Sequence, residues 1–253
     1  SGFRPLATFE EDIDVTSGTE PGVELRGDSL AVWKEDMLPL RSSNRSSTSA
    51  SQENQAVWLG WNNRIAGPDT SRTGPPATFA LTLPEELARR WSLDEGTTLD
   101  LMLAATENVP SPREDPEAGE EAETDGERER PARGDDEEEE KPPVDLTVEV
   151  EDAAGRTARV ALSDYGPIRR PLETWISMRR DRERDRFATH WELVLQTYSI
   201  PLGDFVAENP SLDPESLTEL RLVFDRTVAG EVVVDQLGFS DLHPGFLDAR
   251  VER

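Results

Sequence analysis

The residues of this chain most able to recognise a ligand are its tryptophans, two of which lie in the segment AVWLGWNN, at Trp58 and Trp61. An exposed indole ring can stack on the C–H face of a sugar while polar neighbours bind the hydroxyls. Successive side chains of a strand point to opposite faces, so one ring is expected in the core and the other on the outer or concave face. Asn62 and Arg64 follow Trp61 and either bind hydroxyls or form the turn. Trp175 is a further candidate for the sugar site.

A pair of carboxylates in VEVEDA suggests a different chemistry, the hydrolysis of a glycosidic bond. Glu149 and Glu151 have the i, i+2 spacing that places both side chains on one face of a strand. Glycoside hydrolases need two carboxyl groups about 5–10 Å apart. The two glutamates alternate with apolar residues, however, so the face they share is most simply the solvated one. Both interpretations remain open from the sequence.

No other set of residues indicates catalysis. Histidine occurs only at His190 and His243, and the chain has neither a G-x-S-x-G nor an H-E-x-x-H motif. We therefore predict no catalytic residues and favour a noncatalytic protein, with a sandwich-fold glycoside hydrolase as one alternative.

One carboxylate lies inside an apolar run. Asp235 belongs to the segment VVVDQLGF. A carboxylate that points into a core needs an ion-pair partner or a metal ion to offset its lost hydration. Strand alternation could instead place Asp235 on a hydrated face, or it could accept a hydrogen bond from a backbone amide.

The charge of the chain excludes two classes of partner. It has 53 acidic and 27 basic residues, a formal net charge of -26. Nucleic acid and anionic membrane surfaces both require a basic protein surface. The chain has no apolar run of about 18 residues, so no membrane insertion is expected. It also has no cysteine, which excludes disulfides and thiolate metal sites.

The acidity is general rather than confined to one segment. Residues 107–141 hold 16 acids and 5 bases, so they account for -11 and the rest of the chain for -15. Only Lys34 and Lys141 are lysines, and the other 25 basic residues are arginines. Such a composition suits a salt-rich habitat, where self-repulsion is screened, although a GC-rich genome would also favour arginine. Salt adaptation is therefore a hypothesis.

Two segments have the composition of loops. Residues 107–143 are acidic, Pro-rich and without an aromatic side chain, so they cannot offset the entropy of ordering. Residues 41–53, RSSNRSSTSASQE, are predicted to form a flexible polar loop. We predict one β-sandwich domain over residues 1–253, with residues 107–143 as a disordered acidic insertion between adjacent strands. Two domains separated by the insertion are the alternative.

Alternation of apolar residues predicts about nine or ten strands and two helical turns. Residues 217–242 predict two strands joined by a Gly-containing turn, the closing hairpin of a sandwich, and residues 144–162 predict another hairpin. Residues 190–199 predict a single strand. The helical turns are expected to begin at Pro84 and at Asp213, which would cap its turn. The pattern predicts an all-β fold, a two-sheet antiparallel jelly-roll β-sandwich.

Several segments, in their order along the chain, carry a resemblance to a known class of domain. They are FEEDID, VWLGWNN, VEVEDAAGRTARVALSDYGPI, LQTYSIPLGDF, and LTELRLVFD with VVVDQLGFSDL. The chain resembles the jelly-roll β-sandwich, galactose-binding-like or carbohydrate-binding-module-like, at the C-terminal end of secreted bacterial α/β-hydrolases. The resemblance covers most of the chain outside the two predicted loops.

The resemblance implies both a function and a metal site. It implies a noncatalytic accessory module of a secreted, periplasmic or cell-envelope hydrolase, with carbohydrate or an attached catalytic domain as partner. A structural or protein-docking domain without a sugar site is the alternative. The resemblance also implies a structural Ca²⁺ held by Glu10 or Glu11, Asp12 and Asp235. Related closing strands usually have two consecutive acids, whereas Gln236 follows Asp235 here.

Overall fold

The computed structural model describes residues 2–7, 9, 23–27, 30–36, 55–65, 73–83, 87–106, 108–111, 143–174 and 190–241. Within them lie thirteen strands: β1 (Arg4–Ala7), β2 (Val23–Arg26), β3 (Leu30–Asp36), β4 (Gln55–Asn62), β5 (Thr78–Thr82), β6 (Thr97–Ala105), β7 (Thr147–Asp152), β8 (Thr157–Ala161), β9 (Leu172–Thr174), β10 (His190–Glu192), β11 (Gln196–Pro201), β12 (Leu217–Val223) and β13 (Ala229–Asp241). The helical elements are α1 (Leu87–Arg90), α2 (Leu202–Glu208) and two 3₁₀ turns, Leu162–Tyr165 and Pro214–Ser216. None of the helices in these ranges is long and apolar enough to cross a membrane.

The strands pair into two antiparallel sheets. Sheet I has the order β11-β6-β13-β4-β3, and β1 also pairs with β13, along its C-terminal half. Sheet II has the order β2-β5-β12-β7-β8, while β9 and β10 form a separate two-stranded ribbon. The predicted all-β, two-sheet antiparallel jelly-roll β-sandwich with few helices is confirmed.

A single hydrophobic cluster contains side chains from both sheets. Leu59 and Leu101 of sheet I are fully buried in it, as are Val148 and Leu220 of sheet II. Burying one such side chain contributes roughly 1.5–3 kcal/mol, which makes the alternate positions of each strand the main source of stability. The remaining positions point away from this core, and we call the surfaces they form the outer faces of sheets I and II.

The hairpin predicted in residues 144–162 is confirmed, and its turn is fixed by one buried carboxylate. Asp152 accepts backbone hydrogen bonds from Ala154 (2.9 Å), Arg156 (3.0 Å) and Asp213 (3.0 Å), and the Arg156 Nε donates to it at 2.7 Å. Burial alone would raise the pKa of Asp152, but these donors outweigh it, so its pKa is lowered. Gly155 completes the turn with φ 73°.

The two strands predicted in residues 217–242 both form, but they do not pair with each other. β12 lies in sheet II and β13 in sheet I, so the expected closing hairpin is wrong. The connection crosses between the sheets because Phe224, which follows β12, is fully buried and stacks on Trp61. Gly230, expected in the turn, lies inside β13, where an added Cβ would stand 2.9 Å from the Trp61 ring. Alternation identifies strands but not their partners.

The strands on either side of the predicted insertion also lie in opposite sheets, β6 in sheet I and β7 in sheet II. They are therefore not neighbours within one sheet. Most of residues 107–143, and all of 41–53, lie outside the described residues, so the predicted disorder and the single-domain boundary stay predictions.

The single strand predicted for residues 190–199 is wrong, because the chain there forms two strands. β10 pairs with β9, whereas β11 pairs with β6 at the edge of sheet I. The sequence also gave no expectation of α2, which follows Pro201 and buries Leu202 and Phe205. Seven residues are too few for helical periodicity to stand out. Asp213 caps its 3₁₀ turn as predicted, accepting a hydrogen bond from the Glu215 amide at 3.1 Å.

Candidate functional site

The two tryptophans of β4 lie on opposite faces of sheet I, as alternation predicts. Trp61 is fully buried and stacks on Phe224, with ring centroids 4.3 Å apart. Its Nε1 donates to the Thr227 carbonyl oxygen at 2.9 Å. Trp61 is therefore a core side chain, and its ring has no free face for a sugar.

Trp58 lies on the outer face of sheet I and is half-buried. Its register partners are Val233 on β13 and Trp33 on β3. Val233 and its register partner on β6, Ala104, are fully buried, although neither belongs to the core cluster between the sheets. The outer face of sheet I thus has an apolar floor beside an indole ring that solvent still reaches.

The polar residues after Trp61 shape the end of this face. The Asn62 Nδ2 donates to the Pro110 carbonyl oxygen at 2.7 Å, and its Oδ1 accepts from the Arg64 amide at 3.1 Å. Asn62 therefore links the end of β4 to Pro110, and its role in sugar binding stays a prediction. Arg64 is exposed. Trp175, the remaining predicted sugar contact, lies outside the described residues.

Three carboxylates are buried on the outer face of sheet I: Glu231, Asp235 and Asp100. Glu231 accepts hydrogen bonds from Thr106 Oγ1 (2.6 Å) and Asn108 Nδ2 (3.0 Å). Asp100 accepts a hydrogen bond from the Ser240 hydroxyl through Oδ2. The Asp100 Oδ1 is buried and has no hydrogen-bond partner among the described residues.

Asp235 occupies a β-bulge. β13 pairs Val234 with Leu103 and Gln236 with Met102, which leaves Asp235 as the extra residue. Side chains of the core lie on both sides of the bulge, at Val234 and Leu237. Asp235 is therefore displaced to the outer face rather than into the core, although it is buried there.

The predicted metal site cannot be assembled from the described residues. Glu10, Glu11 and Asp12 lie outside them, and no group of three or more His, Cys, Asp or Glu side chains among the residues described could hold a metal ion. The strand β1 does run antiparallel to β13, with Ala7 opposite Leu237, so the chain up to Phe9 heads towards Asp235. The Ca²⁺ site stays a prediction.

The outer face of sheet II is organised differently, around one arginine. Arg221 binds Glu219 at 2.7 Å and also forms ion pairs with Glu149 and Glu151. The hydrogen bond to Glu219 raises the pKa of the Arg221 guanidinium most, and the hydrogen bonds to Glu149 and Glu151 raise it further. Burial acts in the opposite direction but does not outweigh them. Arg159 also binds Glu149. The paired carboxylates of VEVEDA are therefore members of an ion-pair network.

This network continues to the edge of sheet II. Arg26 on β2 binds Glu24 at 2.7 Å and Glu219 at 3.1 Å. The hydrogen bond from Arg26 lowers the pKa of Glu24. We call the set Glu24, Arg26, Glu149, Glu151, Arg159, Glu219 and Arg221 the ion-pair ladder. It covers the outer face of sheet II from β2 to β8.

No family model matches the sequence, and no curated protein matches it. Among solved structures, the chain is similar to the family 11 carbohydrate-binding module of a cellulosomal cellulase of Clostridium thermocellum, at 10% identity, 95% coverage of both chains and TM-score 0.44. It is also similar to the family 30 module of another cellulase of that organism (13%, 87% and 86% coverage, TM-score 0.42). An exo-beta-agarase matches over 96% of this chain and 26% of its own, at 10% identity and TM-score 0.44. Identities this low carry no information on ligand or activity.

Proposed function

We propose that this chain is a noncatalytic accessory module that binds carbohydrate through the outer face of sheet I. The observation that supports this most directly is Trp58, an indole ring that projects from a rigid strand, with one part accessible and a buried apolar floor beside it. Rigid aromatic side chains give contact area at a small entropic cost, because only two torsions are fixed. Trp33, in register with Trp58 on β3, is the second position to test.

Substitution of Trp58 tests the proposal. Affinity electrophoresis in gels that contain a soluble polysaccharide measures the affinity for each polymer of a panel. The variant Trp58→Ala should bind about 30-fold more weakly than the wild type, the loss expected for an aromatic hot spot. Trp91→Ala is the matched control, because Trp91 is also half-buried but packs edge-on against Phe239, with Arg4 over its ring. Equal affinities of the wild type and Trp58→Ala, or no binding to any polymer, would refute the proposal.

The proposal also concerns the domain to which the module is attached and its location in the cell. We propose that it accompanies the catalytic domain of a hydrolase that is secreted or held in the cell envelope, as the sequence resemblance implies. The sequence of the complete precursor tests this. A catalytic domain and an export signal in the same open reading frame support it, and a cytoplasmic precursor without either refutes it.

A structural Ca²⁺ at Asp235 is a further part of this proposal. The buried carboxylate in a bulge and the approach of β1 support it. Glu10, Glu11 and Asp12 are the residues expected to complete the site. A chelator should lower the melting temperature and added Ca²⁺ should restore it, whereas Asp235→Asn should abolish the response. An unchanged melting temperature in the presence of chelator would exclude the site.

One observation favours a second candidate, a structural or protein-docking domain without a sugar site. Ala56, Ala104 and Val233 on the outer face of sheet I are fully buried although they do not belong to the core cluster. A covered face leaves less room for a polysaccharide. The same panel of polymers separates the two candidates, because only the sugar-binding module loses affinity when Trp58 is replaced. The hydrolase alternative is weakened by the ion pairs of Glu149 and Glu151 with Arg221.

A further inference from the structure

Four of the six strands of sheet I contain no basic residue. β4, β6, β11 and β13 carry neither lysine nor arginine in any position. The same strands bear Asp100, Glu231 and Asp235 on the outer face. In sheet II, by contrast, β2, β8 and β12 each contribute an arginine to the ion-pair ladder. The charge that these four strands place on the outer face of sheet I is therefore negative, and no base within them compensates it.

The accessible part of this face forms one patch beyond Trp58. Met102 and Gln236, which are register partners, are half-buried, and Thr197, the partner of Met102 on β11, is exposed. The distance across the sheet from β4 to β11, over β13 and β6, is three strand spacings, or about 14 Å. The patch is long enough in this direction for several sugar units.

An aromatic ring borders the same patch at its other end. Phe3 is 42% exposed, and a Cβ built on Gly238 would lie 2.6 Å from its ring atoms. The ring therefore lies directly on Gly238, which is the register partner of Asp100. An aromatic surface and a carboxylate thus stand side by side.

One oxygen of the Asp100 carboxylate has no hydrogen-bond donor among the described residues. Asp100 is 8% exposed, its Oδ2 binds Ser240, and its Oδ1 has no partner among the described residues. A buried acceptor without a donor is costly, and water or a ligand hydroxyl would remove that cost. A carboxylate or sulfate group of a ligand could not replace this donor, because it donates no hydrogen bond and is negatively charged like Asp100 itself.

We propose that the ligand of this patch is an uncharged polysaccharide and that anionic polysaccharides are rejected. The patch consists of Phe3, Trp58, Asp100, Met102, Thr197 and Gln236. The inference rests on the proposed function and narrows its substrate class. Trp58 and Phe3 stack on sugar rings, and Asp100 accepts a hydroxyl. The carboxylates of Asp100 and Glu231, which form no ion pair with the described residues, repel a polyanion. The overall charge of -26 acts in the same direction at low ionic strength.

A matched pair of probes tests the inference. Neutral polymers (mixed-linkage β-glucan, xylan, agarose and galactomannan) are compared with the carboxymethyl derivative of each in affinity electrophoresis. The neutral form of the polymer that binds should bind at least tenfold more tightly at low salt, and the difference should shrink in 1 M NaCl as charge repulsion is screened. Equal or tighter binding of the carboxymethyl form would overturn the inference. If Trp58→Ala abolished that binding, the proposed function would stand while the inference failed.

Two variants locate the effect on the patch. Thr197→Lys adds a base to its exposed edge and should raise the ratio of the affinity for the carboxymethyl polymer to the affinity for the neutral polymer about tenfold at low salt. Asp100→Asn should weaken binding of the neutral polymer about fivefold, whereas Glu208→Gln, at an exposed position at the end of α2, should have no effect. Melting curves confirm that each variant is folded. Equal effects of Asp100→Asn and Glu208→Gln would remove Asp100 from the site.

Discussion

On the outer face of sheet II, the carboxylates of β7 and β12 each meet an arginine, and the resulting ladder joins four strands. On the outer face of sheet I, the carboxylates of β6 and β13 bind hydroxyl and amide groups, and the central strands offer no arginine. The first arrangement satisfies charges within the protein and leaves little for a ligand to bind. The second leaves one acceptor, the Asp100 Oδ1, without a donor among the described residues. Similar residues thus serve stability on one face, and on the other they serve the recognition that we propose.

The largest effect expected concerns the core that both faces share. Trp61→Ala should lower the free energy of unfolding by about 4 kcal/mol, because it removes a fully buried indole and leaves a cavity against Phe224. Trp58→Ala, on the outer face of the same strand, should cost about 1 kcal/mol, since part of that surface is already hydrated. Urea denaturation of both variants measures the difference. Comparable losses would mean that Trp58 is also structural.

The next largest effect is expected at the centre of the ion-pair ladder. Arg221→Met should destabilise the fold by about 3 kcal/mol, because Glu149 and Glu219 would remain largely buried with fewer partners. Arg159→Met is the control, since the Arg159 side chain is 50% exposed and its pair with Glu149 should contribute under about 1 kcal/mol. Chemical denaturation at neutral pH provides both values. A small effect of Arg221→Met would show that the ladder does not hold sheet II together.

A smaller, pH-dependent effect is expected at Asp152. Its pKa is lower in the folded chain than in the unfolded one, so the stabilisation is complete above about pH 4 and is lost as the pH falls through the folded pKa. Asp152→Asn should cost about 1–2 kcal/mol at pH 7, because it removes a charged acceptor of four hydrogen bonds. The difference between variant and wild type should decrease below pH 4 in acid-unfolding curves. A constant difference across that range would exclude the charge of Asp152 as its cause.

The smallest effect is expected from salt, and it bears on both faces at once. Molar NaCl screens the repulsion among uncompensated carboxylates, while it weakens the exposed ion pairs of the ladder. If the chain is adapted to a salt-rich habitat, the first effect prevails and the melting temperature rises by a few degrees, a shift that corresponds to about 1 kcal/mol. Thermal scans between low salt and 2 M NaCl measure this, with KCl as a control for ion identity. A fall in melting temperature would contradict salt adaptation.

The sequence predicted individual strands much better than their partners. The hairpin of β7 and β8 was predicted correctly, because its alternation of apolar residues and its turn are local information. The pairing of β12 and β13 was predicted wrongly, because the crossing at Phe224 depends on its contact with Trp61, far away in the sequence. Short elements such as α2 lie below the length at which periodicity is informative.

In the candidate site, too, features set by local alternation were predicted and features set by distant contacts were not. The separation of Trp58 and Trp61 onto two faces came from alternation alone, and the structure agrees. The role of Glu149 and Glu151 could not be decided from their spacing, because it depends on Arg221 of a neighbouring strand. Asp100 was missed as a candidate, since its missing donor is a property of the folded environment. One signal was available in the sequence, the lack of any lysine or arginine in four apolar strands.

The bulge at Asp235 makes this residue an insertion in a strand that is otherwise regular. If Asp235 were deleted, Val234 and Gln236 would become neighbours opposite Leu103 and Met102, which are themselves neighbours on β6. The pairing with β6 would then be continuous, and the core positions on both sides would keep their face. A β-bulge redirects side chains and bends its strand. Asp235 therefore adds a carboxylate and a bend to β13, although the hydrogen bonding between β13 and β6 requires neither.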